Sequence, residues 1–159
     1  MRKLLTSGLA VFAGMVSLPA SVSRNQTLSS TQLPDYQQDA RLKHLQKFFA
    51  KGNCPAQKYS LVFLEAADNY DLDWRLLPSI SFIESTGGKA AKNNNLFGWD
   101  SGRVGFSSPA EGIQTVGYRL SHSQLYRDKG VDEILAVYNP DSEYAGRVKS
   151  VMRQISSSE

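Results

Sequence analysis

The sequence predicts a mainly α-helical domain. Three observations carry that expectation. Apolar residues recur at helical spacing in six successive segments, helix start and stop signals fall between them, and one aperiodic stretch interrupts the series. Leu42, Leu45, Phe48 and Phe49 form the first stripe, closed by Gly52. Phe63, Ala66, Ala67 and Tyr70 mark the second. Leu76, Leu77, Ile80 and Ile83 mark the third, with Asp71 or Asp73 available as N-cap. Pro78 removes a backbone donor there, so this helix is expected to start late or bend in its first turn, and Gly87-Gly88 stops it. Residues 88–107 have no period and are rich in Gly, Asn, Asp and Ser, which reads as a long loop or a short hairpin lobe. Ser108-Pro109-Ala110-Glu111 opens the fourth helix as a capping box, with Ser108 at N-cap, Pro109 at N1 and Glu111 at N3. Ile113, Val116 and Leu120 carry its buried face, and Lys129-Gly130 closes the segment. Val131, Ile134, Leu135 and Tyr138 make a short fifth helix ended by Asn139-Pro140, and Tyr144, Val148, Val151 and Ile155 line a sixth.

The 159 residues suffice for one domain, preceded by an export segment. Arg2 and Lys3 are followed by an uncharged, mostly apolar run, Leu4 to Leu18, and then by the small residues of Pro19-Ala20-Ser21-Val22-Ser23. That order reads as a secretory signal over residues 1–23, and the run is shorter than the about 20 apolar residues a membrane span needs. No stable membrane span is expected once the signal is removed. The protein is then exported, to the periplasm or to the outside and the cell wall. Residues 24–37, rich in Ser, Thr, Gln and Asn, read as a flexible linker, and 38–159 as the folded domain.

Loss of Arg2 and Lys3 leaves 16 of the 18 basic residues against 15 acidic ones, which lowers the net charge from +3 to +1. With no basic run interleaved with aromatics, nucleic acid is not an expected partner. Cys54, the only cysteine, reads as a lone thiol, and His44 and His122 have no partners at metal-ligand spacing. No metal or cofactor is implied.

Glu84 is where chemistry is expected. It lies four residues after Ile80 and seven after Leu77, so on a helix the three share the apolar face. A carboxyl beside the core, in the last turn before Gly87, meets two effects that favour its protonated form: desolvation, and the negative end of the helix dipole. A protonated carboxyl is what a glycosidase uses to protonate a leaving oxygen. Spacing alone leaves the other reading open, a carboxylate at a helix end turned into water. Nearby, Asn93-Asn94-Asn95-Leu96-Phe97-Gly98-Trp99 offers three adjacent amides for hydroxyl and acetamido groups, and in Phe97 and Trp99 flat faces for sugar rings. Trp99 is the better platform of the two. The competing reading tucks Leu96 and Phe97 into the core and makes the Asn run a turn.

Phe82-Ile83-Glu84-Ser85, followed by Asn94-Asn95-Leu96-Phe97-Gly98, resembles the bacterial glucosaminidase family, peptidoglycan-cleaving endo-β-N-acetylglucosaminidases of the lysozyme-like superfamily. Phe106-Ser107-Ser108-Pro109-Ala110-Glu111 looks like that family's lead-in to its next helix, and Tyr138-Asn139-Pro140-Asp141-Ser142-Glu143-Tyr144-Ala145 resembles its tyrosine-containing final motif. The likeness runs from about Leu72 to Ile155. The Glu-Ser pair and Ala136-Val137-Tyr138-Asn139 are also similar to lytic transglycosylases, relatives with the same fold. The resemblance implies a lysozyme-like helical domain with a short loop or hairpin lobe beside a cleft. It implies a glycoside hydrolase of the mannosyl-glycoprotein endo-β-N-acetylglucosaminidase kind acting on peptidoglycan glycan strands. Glu84 is then the general acid, and Tyr138 sits near the scissile bond. Ser85, Asn94, Asn95, Phe97 and Trp99 are the expected substrate contacts. Tyr144, which starts an unbroken apolar stripe, reads as core.

The chain departs from the family pattern in two places. Thr86, Gly87 and Gly88 stand where an aromatic often follows the Glu-Ser pair, and the loop between Glu84 and Glu111 is short. Asp100 is the one residue left as a second acid, although Asp100-Ser101-Gly102 also reads as a plain turn. Two mechanisms need no second carboxylate: attack by the substrate's own acetamido group, and attack by a muramic acid hydroxyl to give an anhydro end, as in lytic transglycosylases. A third reading is a domain that binds glycan without cutting it.

Overall fold

A computed structural model describes residues 35–158. The expected signal, 1–23, and residues 24–34 of the expected linker lie outside the described residues. The described fold starts at Asp35, inside the stretch expected as linker. Asp35 caps a 3₁₀ turn, Tyr36–Gln38, and Tyr36 packs on the core. The mainly helical class holds. Six α-helices follow among the described residues: α1 (Ala40–Lys51), α2 (Ser60–Asn69), α3 (Leu76–Ser85), α4 (Pro109–His122), α5 (Val131–Tyr138) and α6 (Tyr144–Ser156). The described residues form no strand. In place of a hairpin, Lys92 and Asn95 make one isolated antiparallel bridge.

Helix starts follow from acceptors offered to the first turn; α1 and α4 have a side-chain cap. Asp39 accepts the Arg41 N–H at 2.8 Å and opens α1, while the Arg41 guanidinium spans to Asp68 and clamps α1 to α2. Asp73 does not cap α3 directly. It accepts the Arg75 N–H at 2.9 Å, one turn earlier, and Leu76 then bonds back to the Asp73 carbonyl. Pro78 is accommodated because it sits in the first turn of α3, where its missing N–H would have no partner in any case. Ser108 accepts the Glu111 N–H as expected, but the Glu111 carboxylate reaches Ser107, one residue before the cap, at 2.6 Å from its N–H.

The helices enclose one core. α3 packs chiefly on α6, α2 on α4, and α1 touches both α2 and α6. Leu45, Phe49, Phe63, Leu76, Leu77, Ile80, Ile113 and Ile155 are all fully buried. At about 25 cal/mol per Å² of apolar surface, such side chains supply most of the folding free energy. A run of rings carries the core to the loop: Phe49 lies 5.7 Å from Phe63, and Phe63 lies 6.3 Å from Phe97. The Ser79 hydroxyl is buried in α3 with no partner among the described residues. Ser79→Ala removes an unsatisfied group and improves helix propensity, so a gain of about 1 kcal/mol in urea unfolding is expected.

α3 ends abruptly. Thr86, Gly87 and Gly88 all take positive φ, and the Gly87 N–H bonds back to the Ser81 carbonyl. A Cβ on Gly87 would come within 2.8 Å of the Cys54 Cβ. Of the two glycines that stand where the family resemblance leads one to expect an aromatic, Gly87 is thus required by the close approach of Cys54, and Gly88 takes a φ of 96° with Leu96 3.1 Å from where its Cβ would be. That thiol is buried, and burial pushes its pKa up. Among the described residues no helix is long and apolar enough to cross a membrane.

Candidate active site

The abrupt end of α3 leaves Glu84 half-buried on the last turn, one turn beyond the fully buried Ile80. Its carboxylate forms part of the wall of a cleft of about 530 Å³, together with Gly98, Trp99, Arg119, Tyr126 and Tyr138. Each side of the carboxylate is defined. Oε1 accepts the Tyr144 hydroxyl at 2.7 Å. Oε2 lies toward Gly98, where a Cβ would stand only 3.0 Å from it. Among the described residues no cation lies within ion-pair distance of Glu84.

Tyr144 is core, as read from its stripe, and it also reaches the site. It is buried, as a core residue should be, yet its phenol reaches across from the first turn of α6 to Glu84. The Tyr138 ring stacks nearly parallel to it, 9° apart with centroids 5.9 Å apart. The Tyr138 hydroxyl donates to the Phe97 carbonyl at 2.5 Å, so Tyr138 lines the cleft while holding the loop. Burial, reinforced by the charge of Glu84, pushes both phenols far above the ordinary tyrosine range. Both are therefore donors and not bases. An absorbance titration should find Tyr138 and Tyr144 un-ionised until the protein unfolds. The unfolded chain releases those protons near about pH 10 while the folded state keeps them, so stability should fall as the pH rises above that point.

The loop is built around Asn95, which is 4% exposed. Its Oδ1 accepts the Phe97 and Trp99 N–H groups at 3.2 and 3.0 Å, and its Nδ2 donates to the Trp99 and Val104 carbonyls at 3.0 and 2.9 Å. With every polar position of the amide used internally, Asn95 is a hub of the loop, which corrects its expected role as a sugar contact. Ser85 is corrected in the same way. It is buried, its hydroxyl lies 2.7 Å from the Leu96 carbonyl, and it accepts the Gly88 N–H at 3.0 Å, tying the loop to the end of α3. Phe97 is fully buried and offers no face to a ligand, so the tucked reading of Leu96 and Phe97 is the one the fold adopts. Asn94 is exposed, but its amide donates to the Phe106 carbonyl at 2.9 Å and it does not line the cleft.

Trp99 is where a platform was expected. It is half-buried at the cleft, edge-on to Tyr138 at 5.7 Å, with the Arg119 guanidinium 5.7 Å from its ring centre. Asp100 lines the same cleft but turns its carboxylate to Arg103. Asp100 and Ser101 both take left-handed φ, a tight turn as the turn reading held. Among the described residues no three His, Cys, Asp or Glu side chains gather as a metal site. Scanned against protein-family models and against curated proteins, the chain matches none.

Gly98 is the tightest constraint on the cleft. Its φ of 59° is left-handed, so any side chain is strained there before it meets the Glu84 oxygen. On the expectation that Glu84 is a general acid, Gly98→Ala should lower activity by about 100-fold, since displacing a reacting group by 1 Å has roughly that effect. Stability should fall by only about 1 kcal/mol. Initial rates and a melt on the same sample separate the two effects.

Arg119, Tyr126 and Asn139 also line the cleft; the sequence pattern marks Asn139 only as a helix stop and part of the resemblance, and gives Arg119 and Tyr126 no role. Only Tyr144 carried a usable signal: a buried phenol requires a hydrogen-bond acceptor, and Glu84 was the unassigned acceptor.

Proposed function

We propose that this protein is an exported glycosidase that cuts peptidoglycan glycan strands, of the endo-β-N-acetylglucosaminidase type within the lysozyme-like superfamily. One observation carries the reading. A half-buried carboxylate, Glu84, stands in a cleft with one oxygen held by Tyr144 and the other toward Gly98, and Trp99 lines the same cleft.

The chemistry follows from that arrangement. With Tyr144 donating to Oε1, the proton of the acid form sits on Oε2, which hands it to the glycosidic oxygen as the C1–O bond breaks. The positive charge developing at C1 is met by the acetamido carbonyl oxygen of the same sugar, which forms a cyclic intermediate. Glu84, now a carboxylate, takes a proton from the water that opens this ring at C1, which restores the acid and leaves a reducing N-acetylglucosamine end. Tyr138 and Tyr144 hold the geometry as permanent donors. Trp99 supplies a flat apolar face against which a sugar ring stacks.

Lytic transglycosylase chemistry is the second reading, and the state of Asp100 favours it to the same degree. Its carboxylate is turned to Arg103, so Glu84 works alone. The C6 hydroxyl of the muramic acid then attacks C1 in place of water, closing a 1,6-anhydro ring as the glycosidic bond breaks, and gives its proton to the Glu84 carboxylate. Purified sacculi incubated with the chain are expected to lose turbidity. Firm binding to sacculi with no turbidity loss and no soluble fragments would leave a glycan-binding module instead.

A further inference from the structure

We infer that Arg119 makes the cleft a reader of a carboxylate carried by the muramyl residue. This rests on the peptidoglycan reading above and adds the substituent recognised. Arg119 projects from α4 into the wall that holds Glu84. Asp100, the other acid that lines the cleft, is already paired with Arg103. Among the described residues Arg119 has no acidic group within ion-pair distance. It is held instead over the Trp99 ring, 5.7 Å from the ring centre. A cation–π contact uses none of the five N–H donors, and no hydrogen bond from the Arg119 guanidinium is formed among the described residues, so the fork remains available to a carboxylate.

The place of this fork decides what it reads. It stands beside the ring proposed to stack a sugar, in the same cleft as the proposed acid. A neutral hexosamine offers hydroxyl and amide acceptors but no anion for bidentate pairing with an unpaired guanidinium. A muramyl residue does, by two routes. When no peptide is attached, its lactyl group ends in a free carboxylate next to the ring. When a peptide is attached, that group is an amide and the carboxylates lie further out, along the peptide. Both present the same chemistry, an anion suited to bidentate pairing.

The test is a set of affinities measured by calorimetry, with the full chain carrying Glu84→Gln so that bound strands survive. The ligands are peptide-free glycan strands, strands that keep their stem peptides, and a neutral oligomer of N-acetylglucosamine. Arg119→Met added to that background is expected to weaken a carboxylate-bearing ligand by about tenfold or more relative to the neutral oligomer, in line with loss of a charge-assisted bond. Arg119→Lys should restore part of the difference. Loss on peptide-free strands alone identifies the lactyl carboxylate, and loss on peptide-bearing strands identifies the peptide's. Equal loss on all three ligands would reduce Arg119 to a prop for Trp99 and overturn the inference, as would no loss on any. If the Glu84→Gln parent binds none of the ligands, the glycan reading itself fails, an outcome distinct from failure of the Arg119 assignment alone.

Discussion

Glu84→Gln is expected to lower the rate of glycan cleavage by about 1000-fold while leaving the melting temperature nearly unchanged. The substitution keeps the size and shape of the side chain, and its amide oxygen still accepts from the Tyr144 hydroxyl, now 2.7 Å from Oε1. What it removes is the acidic proton on the side facing Gly98. General acid catalysis contributes about 10² to 10⁴ in rate, and without it the leaving oxygen must depart as an alkoxide. Glu84 has no cationic partner among the described residues, so neutralising it strands no buried charge. Soluble fragment release, thermal melting and co-sedimentation with sacculi, run on one preparation, check the three parts. Activity should vanish while fold and binding remain.

The second large effect falls on a residue that touches no substrate. Asn95→Asp is expected to destabilise the domain by about 3 kcal/mol or more and to abolish activity as well. The replacement oxygen would face the Trp99 and Val104 carbonyls, now 3.0 and 2.9 Å from the amide nitrogen, in a site that is 4% exposed. Three oxygens would then converge without a proton between them, unless the acid protonates at a further free-energy cost. Either way the turn that carries Gly98 and Trp99 loses its hub. Asn95→Ala loses all four bonds, where Asp keeps the two accepted by Oδ1, but it places no carboxylate against the two carbonyls, so it should be the milder change. Urea unfolding of both variants gives the ranking. An Asp variant as stable as the parent would remove Asn95 from the centre of the loop.

The helices were legible because their signals are local. A stripe such as Leu76, Leu77, Ile80 or Tyr144, Val148, Val151, Ile155 is read within a few turns, and the burial of each set follows from its own period. The same local reasoning put Glu84 on the apolar face of α3, where it sits half-buried. The site was legible only in part because its contacts are long-range. Tyr144 meets Glu84 across 60 positions and Tyr138 meets Phe97 across 41, distances over which periodicity carries no information. The Asn run misled for a different reason. Amides that could bind a sugar are equally able to bind the backbone, and a loop that must turn through Asn93 and Asn94 at left-handed φ uses them to close on itself. The early start at Asp35 and the 3₁₀ turn Pro55–Tyr59 escaped because such short turns carry no apolar period.

The measurement that decides most is the mass spectrum of saccharide fragments released from purified sacculi by the parent protein, with Glu84→Gln run beside it. The expected result is fragments ending in reducing N-acetylglucosamine from the parent and none from the variant. Anhydro-muramyl ends would keep Glu84 as the acid and transfer the protein to transglycosylase chemistry. No new glycan ends from the parent, or the same ends from both proteins, would contradict the assignment of Glu84 as the acid that cuts the strand.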